Sequence, residues 1–340
     1  MESSCKGMKL IMNLDQPAIS EQLPLFEDKR TLLNRGILEL TRLNLNEAKR
    51  VFEDYKALYR DGDSVYTEIK LTDFLMKGFA DAPHTCPEEP AYLCRLWGSF
   101  EDYVRSLGFE YENIILDMKR SFFRKALAAV NRCGLADSSF LSDSIPTGYV
   151  YIQAGQYDQA IKALQACIPV TPHNAAIYGY LGDAYMLRGD ADVARQCYQE
   201  ACLIGPSGLD WGHIKDTALL ELRDHVSKEL TLDNTLAVEW LPSYAYIRGL
   251  FKPRVMQLNK GIKELVDDYL ALRKAFLKEP TPALKAKLLF RSIILCDNEP
   301  LLRFVKTVSF IDVRRLMRDV NPVLFSRYLR CIERRNEEKR

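Results

Sequence analysis

The sequence predicts an all-α fold, a helical-hairpin solenoid, on three observations. A pattern of residues recurs at a fixed offset of thirty-four. Apolar residues elsewhere keep helical spacing, as in the stripe Ile214, Ala218, Leu222, Val226 and Leu230. No stretch alternates strongly enough to be read as a sheet. A repeat that keeps its register has a structural cause, since stacked hairpins bury a continuous core that one hairpin could not.

Seven identities carry the repeat. Gly148, Tyr151, Gly155, Asp158, Ala160, Gln165 and Pro172 recur as Gly182, Tyr185, Gly189, Asp192, Ala194, Gln199 and Pro206. Gly155 and Gly189 fall where a first helix must end, and glycine accepts the left-handed conformation that commonly caps it. Asp158 and Asp192 follow early in the second helix, where a carboxylate meets the positive end of the helix dipole. Pro172 and Pro206 stop that helix. Gly148 and Gly182 face Ala160 and Ala194, so that two backbones approach closely while Tyr151 and Tyr185 fill the space beside them.

These residues resemble the tetratricopeptide repeat. Its thirty-four-residue unit has a small residue at place eight, an aromatic at eleven, Ala at twenty, a large apolar residue at twenty-four, a small one at twenty-seven and Pro at thirty-two. Residues 141–174 supply Gly148, Tyr151, Ala160, Leu164, Cys167 and Pro172. Residues 175–208 supply Gly182, Tyr185, Ala194, Tyr198, Ala201 and Pro206, with Tyr178 and Leu181 at places four and seven. Ser144 and Thr147 depart from places four and seven in the first unit, so its first helix is expected to begin irregularly. A degenerate copy is expected near 29–62, where Gly36, Ala48, Phe52 and Tyr55 keep the spacing but Glu39 takes the aromatic place. Beyond Pro206 the register fails at Lys215 and Asp216, and the stripe from Ile214 to Leu230 reads as a covering helix.

The domains then run in order: an N-terminal arm (1–27), N-terminal helical hairpins (28–140), the two repeats (141–208), covering helices (209–247) and a basic C-terminal helical region (248–340). Within these, helices are expected at Asp28 to Tyr59 as a hairpin, Val65 to Phe79, Ala91 to Leu107 and Glu110 to Asn131. The stretch "DAPHTCPEEP" is a loop by its three prolines. Further helices are expected at Thr235 to Leu250, Val255 to Leu277 and Ala283 to Leu295, with three short ones from Leu301 to Arg335. Asn321-Pro322 gives the last helix a capping side chain and a proline at its first position.

The 340 residues, 47% hydrophobic and 27% charged, have the balance of a soluble globular protein. No apolar run approaches the roughly eighteen residues of a membrane span, and the apolar stretch near the N-terminus is short for a secretory signal. Nine cysteines, an odd number without paired spacing, suggest free thiols in a reducing cytosol and a cytoplasmic protein. The net charge of +1 conceals an asymmetry: residues 248–340 hold 22 Lys and Arg against 11 Asp and Glu, so residues 1–247 are net acidic. The basic region could meet nucleic acid or an acidic partner, or dock on the acidic part of its own chain.

Signatures for phosphate loops, dinucleotide sites, zinc helices and nucleophile elbows are absent, so no catalytic residue, cofactor or metal is expected. His84, Cys86 and Cys94 lack a regular zinc spacing. The resemblance implies a concave face lined by first helices, here with inward positions at Ile145, Tyr149, Ile152 and Gln153, then Gly179, Asp183, Met186 and Leu187. Tyr149, Ile152, Gln153, Asp183, Met186 and Leu187 are the candidate partner groove, suited to an amphipathic helix or extended apolar peptide from another protein or from this chain. Alternatively these side chains are core beneath neighbouring helices. "QLPLF", Gln22 to Phe26, resembles the peptide by which bacterial proteins engage the sliding clamp, with Pro24 departing from it; otherwise Leu23, Leu25 and Phe26 anchor the arm. The expected function is a non-catalytic protein–protein interaction scaffold or adaptor. The alternatives are a nucleic-acid-associated regulator using the basic helices and, third, an enzyme with an unrecognised helical active site.

Overall fold

The computed structural model describes residues 28–59, 65–109, 112–136, 139–142, 145–254, 256, 260–305 and 307–338. The arm, with Gln22 to Phe26, lies outside the described residues. The fold is all-α. Its helices are α1 (Lys29–Thr41), α2 (Leu45–Leu58), α3 (Tyr66–Ala80), α4 (Glu88–Ser106), α5 (Glu112–Arg132), α6 (Thr147–Gln153), α7 (Tyr157–Cys167), α8 (Ala175–Arg188) and α9 (Ala191–Ile204). They continue as α10 (Thr217–Leu230), α11 (Asn234–Ile247), α12 (Lys260–Lys278), α13 (Pro282–Asp297), α14 (Glu299–Leu302), α15 (Phe310–Val320) and α16 (Pro322–Glu337). No helix among them is long and apolar enough to cross a membrane. One departure from the expected absence of sheet is a small antiparallel ribbon, β1 (Phe140–Ser142) with β2 (Ile145–Pro146). It stands where the first repeat lacks its apolar places, and α6 is accordingly only 7 residues long.

Three hairpins, α1–α2, α6–α7 and α8–α9, turn in the same way. The backbone N–H of Gln156 donates to the Tyr151 carbonyl, that of Asp190 to Tyr185 and that of Asn44 to Glu39, each at 2.9 Å. This is the bond that closes a helix C-terminus through a left-handed residue. That residue is Gly155 at φ +79, Gly189 at φ +103 and, in the degenerate copy, Leu43 at φ +60. Place eight then meets place twenty-four. A Cβ on Gly148 would lie 2.4 Å from Leu164 Cγ, one on Gly182 2.6 Å from the Tyr198 ring, and one on Gly36 2.5 Å from the Phe52 ring. Only glycine permits these approaches; Ala48, Ala160 and Ala194, at place twenty, are fully buried.

The helices fall into two compact units. In the first, residues 28–82 and 95–122, the α1–α2 hairpin packs on α3. An aromatic cluster fills the rest: Trp97 meets Phe100 and Phe122, each at 5.1 Å between ring centroids, and Phe74 stacks on Tyr103 at 4.7 Å. Glu101 accepts from Trp97 Nε1 at 2.7 Å and pairs with Lys119 at 2.9 Å.

The second unit, residues 83–94 and 123–338, contains both repeats and all later helices. Tyr198, Tyr246, Tyr269, Tyr328, Phe251, Phe290 and Phe123 are its largest fully buried side chains, and all but Phe123 belong to a core running from α8 to α16. α10 starts at Thr217 rather than Ile214 because Asp216 caps it, accepting from the N–H groups of Ala218 and Leu219. Asn321 caps α16 as expected, accepting from Leu324 N at 2.9 Å.

The cysteines depart from the free-thiol expectation at one pair. Cys86 and Cys133 form a disulfide across 47 residues of sequence, while Cys94, Cys167, Cys197, Cys202, Cys296 and Cys331 are buried cysteines outside any disulfide. The pairing was hidden because its partners approach only after α4 and α5 fold back. It also commits Cys86, so His84, Cys86 and Cys94 do not act together as a ligand set.

Candidate partner-binding face

The first helices of the two repeats, α6 and α8, are set side by side by the glycine contacts beneath them. Their inward side chains therefore face one way, and the segment 209–216 of the same chain lies on them. Leu209 rests on Gly179, where a Cβ would stand 2.6 Å from Leu209 Cδ2. The Tyr149 hydroxyl shares a hydrogen bond with His213 Nε2 at 3.0 Å, and their rings pack edge to face. Tyr180 donates from its hydroxyl to Asp210 Oδ2 at 3.0 Å, and His213 Nδ1 lies 2.8 Å from the same carboxylate. Asp183 accepts from the Tyr198 hydroxyl at 2.6 Å and from the Lys215 backbone N–H at 2.9 Å.

This placement decides what the six expected groove residues do. Tyr149, Ile152, Gln153 and Asp183 are buried, Met186 is partly buried against the core, and Leu187 alone is exposed. Tyr149 and Asp183 do not line an open groove, since the chain returns across them at His213 and Lys215. The sequence singles out Tyr149 and Asp183 by position but not their occupant: His213 and Asp210 lie beyond the repeats, and Tyr180, on α8, holds Asp210. The only available signal was the failed register at Lys215 and Asp216, which marks where the chain leaves the hairpin pattern.

Electrostatics follow from that cover. Burial pushes the Asp183 carboxyl from its ordinary 3.8 up to about 7, although Tyr198 and the Lys215 N–H both oppose the shift. Asp210 is held below its usual range, first by His213. Burial, with Asp210 beside it, pushes the Tyr180 phenol up.

The repeat-defining residues also join one hairpin to the next. Gln165 donates to the Tyr185 hydroxyl at 3.1 Å, and its counterpart Gln199 donates to the Lys252 carbonyl at 3.0 Å. Asp158 pairs with Arg188 at 3.0 Å, and its counterpart Asp192 pairs with Lys252 at 2.9 Å. Other basic residues of the C-terminal region also reach carboxylates of earlier helices. Arg254 pairs with Glu200, Lys287 lies 3.7 Å from the buried Glu239, and Arg327 lies 2.8 Å from Glu229.

Residues 146–208 match the family model of the tetratricopeptide repeat. No curated protein and no solved structure matches the chain.

Proposed function

We propose, from the premise that residues 146–208 form a tetratricopeptide-repeat segment, that this chain is a protein-interaction scaffold or adaptor that acts without catalysis. Repeats of this kind generally mediate protein–protein interaction. One observation carries the reading for this chain. The face of α6 and α8 already holds an irregular, turn-containing segment, 209–216, through a leucine against a glycine, tyrosine hydroxyl bonds and a carboxylate on a backbone N–H. These are the contacts by which a helical face captures a peptide, used here within one chain. The array is thereby a rigid platform, and its partner docks on another surface.

The test is affinity purification of the tagged full chain from its native cell, with cross-linking and mass spectrometry, at low and at roughly physiological salt, with and without nuclease. The expected result is a defined protein partner, cross-linked to the chain and retained after nuclease. Recovery of the chain alone, or only with nucleic acid lost on nuclease treatment, would overturn the reading.

A further inference from the structure

Two sets of arginines lie on or beside α16 in the second unit. Arg327 is tied to Glu229 and lies over the Tyr244 ring, and Arg335 lies over the Tyr246 ring at 4.3 Å and donates to the Tyr246 carbonyl at 3.1 Å. These hold α16 against α11. Arg248, Arg330 and Arg334 are different: among the described residues none of them pairs with a carboxylate, and all three line one cleft.

That cleft has a volume of about 770 Å³, within the range of sites that hold a small ligand or a short peptide segment. α10 contributes His225 and Glu229, one turn apart. The end of α11 contributes Ile247 and Arg248. α16 contributes Arg330 and Arg334, again one turn apart, with Glu333 and Glu337 beside them. His225 Nε2 lies 2.8 Å from Arg248 Nη2 and 3.1 Å from Glu229 Oε2, which fixes the Arg248 end of the cleft. Burial alone would raise the Glu229 carboxyl, but the Tyr244 hydroxyl and the Arg327 guanidinium together outweigh it and hold it below the ordinary range. Glu229 is therefore an anion already engaged by Arg327, which also lines the cleft, so that Arg248, Arg330 and Arg334 are set against only Glu333 and Glu337 and the cleft keeps an excess of positive charge.

We infer that this cleft binds an acidic peptide segment of a protein partner, its Asp and Glu carboxylates taken by Arg248, Arg330 and Arg334. The inference rests on the scaffold reading and names the chemistry of the partner. Guanidinium groups recognise carboxylates through two parallel hydrogen bonds. Glu333 and Glu337 decide between anions. Two carboxylates set among the arginines repel a continuous row of phosphates, whereas a peptide can place its own backbone N–H groups opposite them. Ile247 supplies a small apolar floor for side-chain stems.

The test titrates the full chain against fluorescent octa-glutamate, with octa-lysine and a twenty-nucleotide oligothymidylate as the other arms. Octa-glutamate is expected to saturate, to weaken as salt rises, and to lose about tenfold or more in affinity to the double variant Arg330→Gln/Arg334→Gln. Both side chains are exposed on α16, so helicity is retained. Glu333→Gln should tighten the same probe by about two- to threefold, a gain that no loss of folding can produce. Failure of octa-glutamate to saturate, unchanged affinity in the double variant, or tighter oligothymidylate binding that the double variant loses would each overturn the inference. The two readings fail separately. A partner recovered equally with the double variant removes the cleft and keeps the scaffold. Octa-glutamate binding with no recovered partner keeps the cleft and removes the scaffold.

Discussion

Leu43 holds the left-handed backbone that Gly155 holds at the equivalent place of its own hairpin, φ +60 against φ +79. A leucine there carries roughly 1–2 kcal/mol of backbone strain, and its side chain, 5% exposed, offsets this by burial. The order of substitutions should therefore invert the usual one. Leu43→Gly gives up the burial but relieves the strain, while Leu43→Ala gives up most of the burial and keeps the strain. Denaturant unfolding should find the glycine variant the more stable of the two. At Gly189 no atom lies within 4 Å of an added Cβ, so Gly189→Ala should cost only the backbone term, about 1 kcal/mol.

The place-eight contact gives a test by coupling. Gly148→Ala forces a methyl group onto Leu164 and should cost about 1–3 kcal/mol. Leu164→Ala should cost about 2–5 kcal/mol by leaving a cavity. In the double variant the new methyl enters the vacated space, so the combined loss should fall clearly short of the sum. Additive losses in a double-mutant cycle would mean that the two residues do not touch.

Asp183 makes the cover over α6 and α8 sensitive to pH. Its folded pKa, about 7, is raised above the unfolded 3.8, so the protonated form is favoured by folding. The stability it contributes is fully present below about pH 4 and is lost as pH rises through about 7. Asp183→Asn has no such titration. The melting temperature of the Asn variant minus that of the parent should rise between pH 4 and 7 and then level off. A difference that stays flat across this window would show that burial does not govern the group.

The Cys86–Cys133 disulfide closes a loop of 47 residues. By loop-closure entropy, opening it should destabilise the oxidised chain by up to about 4 kcal/mol. Peptide mapping without reductant should recover the two cysteines in one linked pair, and thiol counting in denaturant should find two fewer reactive groups than after reduction. A full complement of free thiols would refute the pairing.

How much of this was legible follows from the range of each interaction. The glycine turns and the Asn321 cap depend on residues a few positions apart, and spacing alone revealed them; the place-eight glycines were expected against the alanines of place twenty, and their nearest contact is instead the large side chain of place twenty-four. Gln165 and Asp158 stood out by their recurrence, but their reach to Tyr185 and Arg188 in the next hairpin is a property of stacking. The occupant of the inner face was hidden for a further reason. His213 and Asp210 lie in an irregular segment, where no periodicity assigns a side chain a direction. The same holds for the cleft: Arg248, Arg330 and Arg334 are separated by some eighty residues, and only the closing of α16 onto α10 and α11 distinguishes them from the other arginines of a basic region.

The segment 209–216 also bears on how the protein is cut for experiments. The family match ends at residue 208, one residue before Leu209 begins the cover, so a fragment trimmed to that boundary would uncover Tyr149, Tyr180 and Asp183 together. Such a fragment would carry a newly wetted aromatic surface with a carboxylate at its centre, and it would adhere to many proteins for reasons the intact chain does not share. Bait extended to residue 250 keeps the cover and its cap at Asp216, and the difference between the two baits separates artefactual stickiness from recognition.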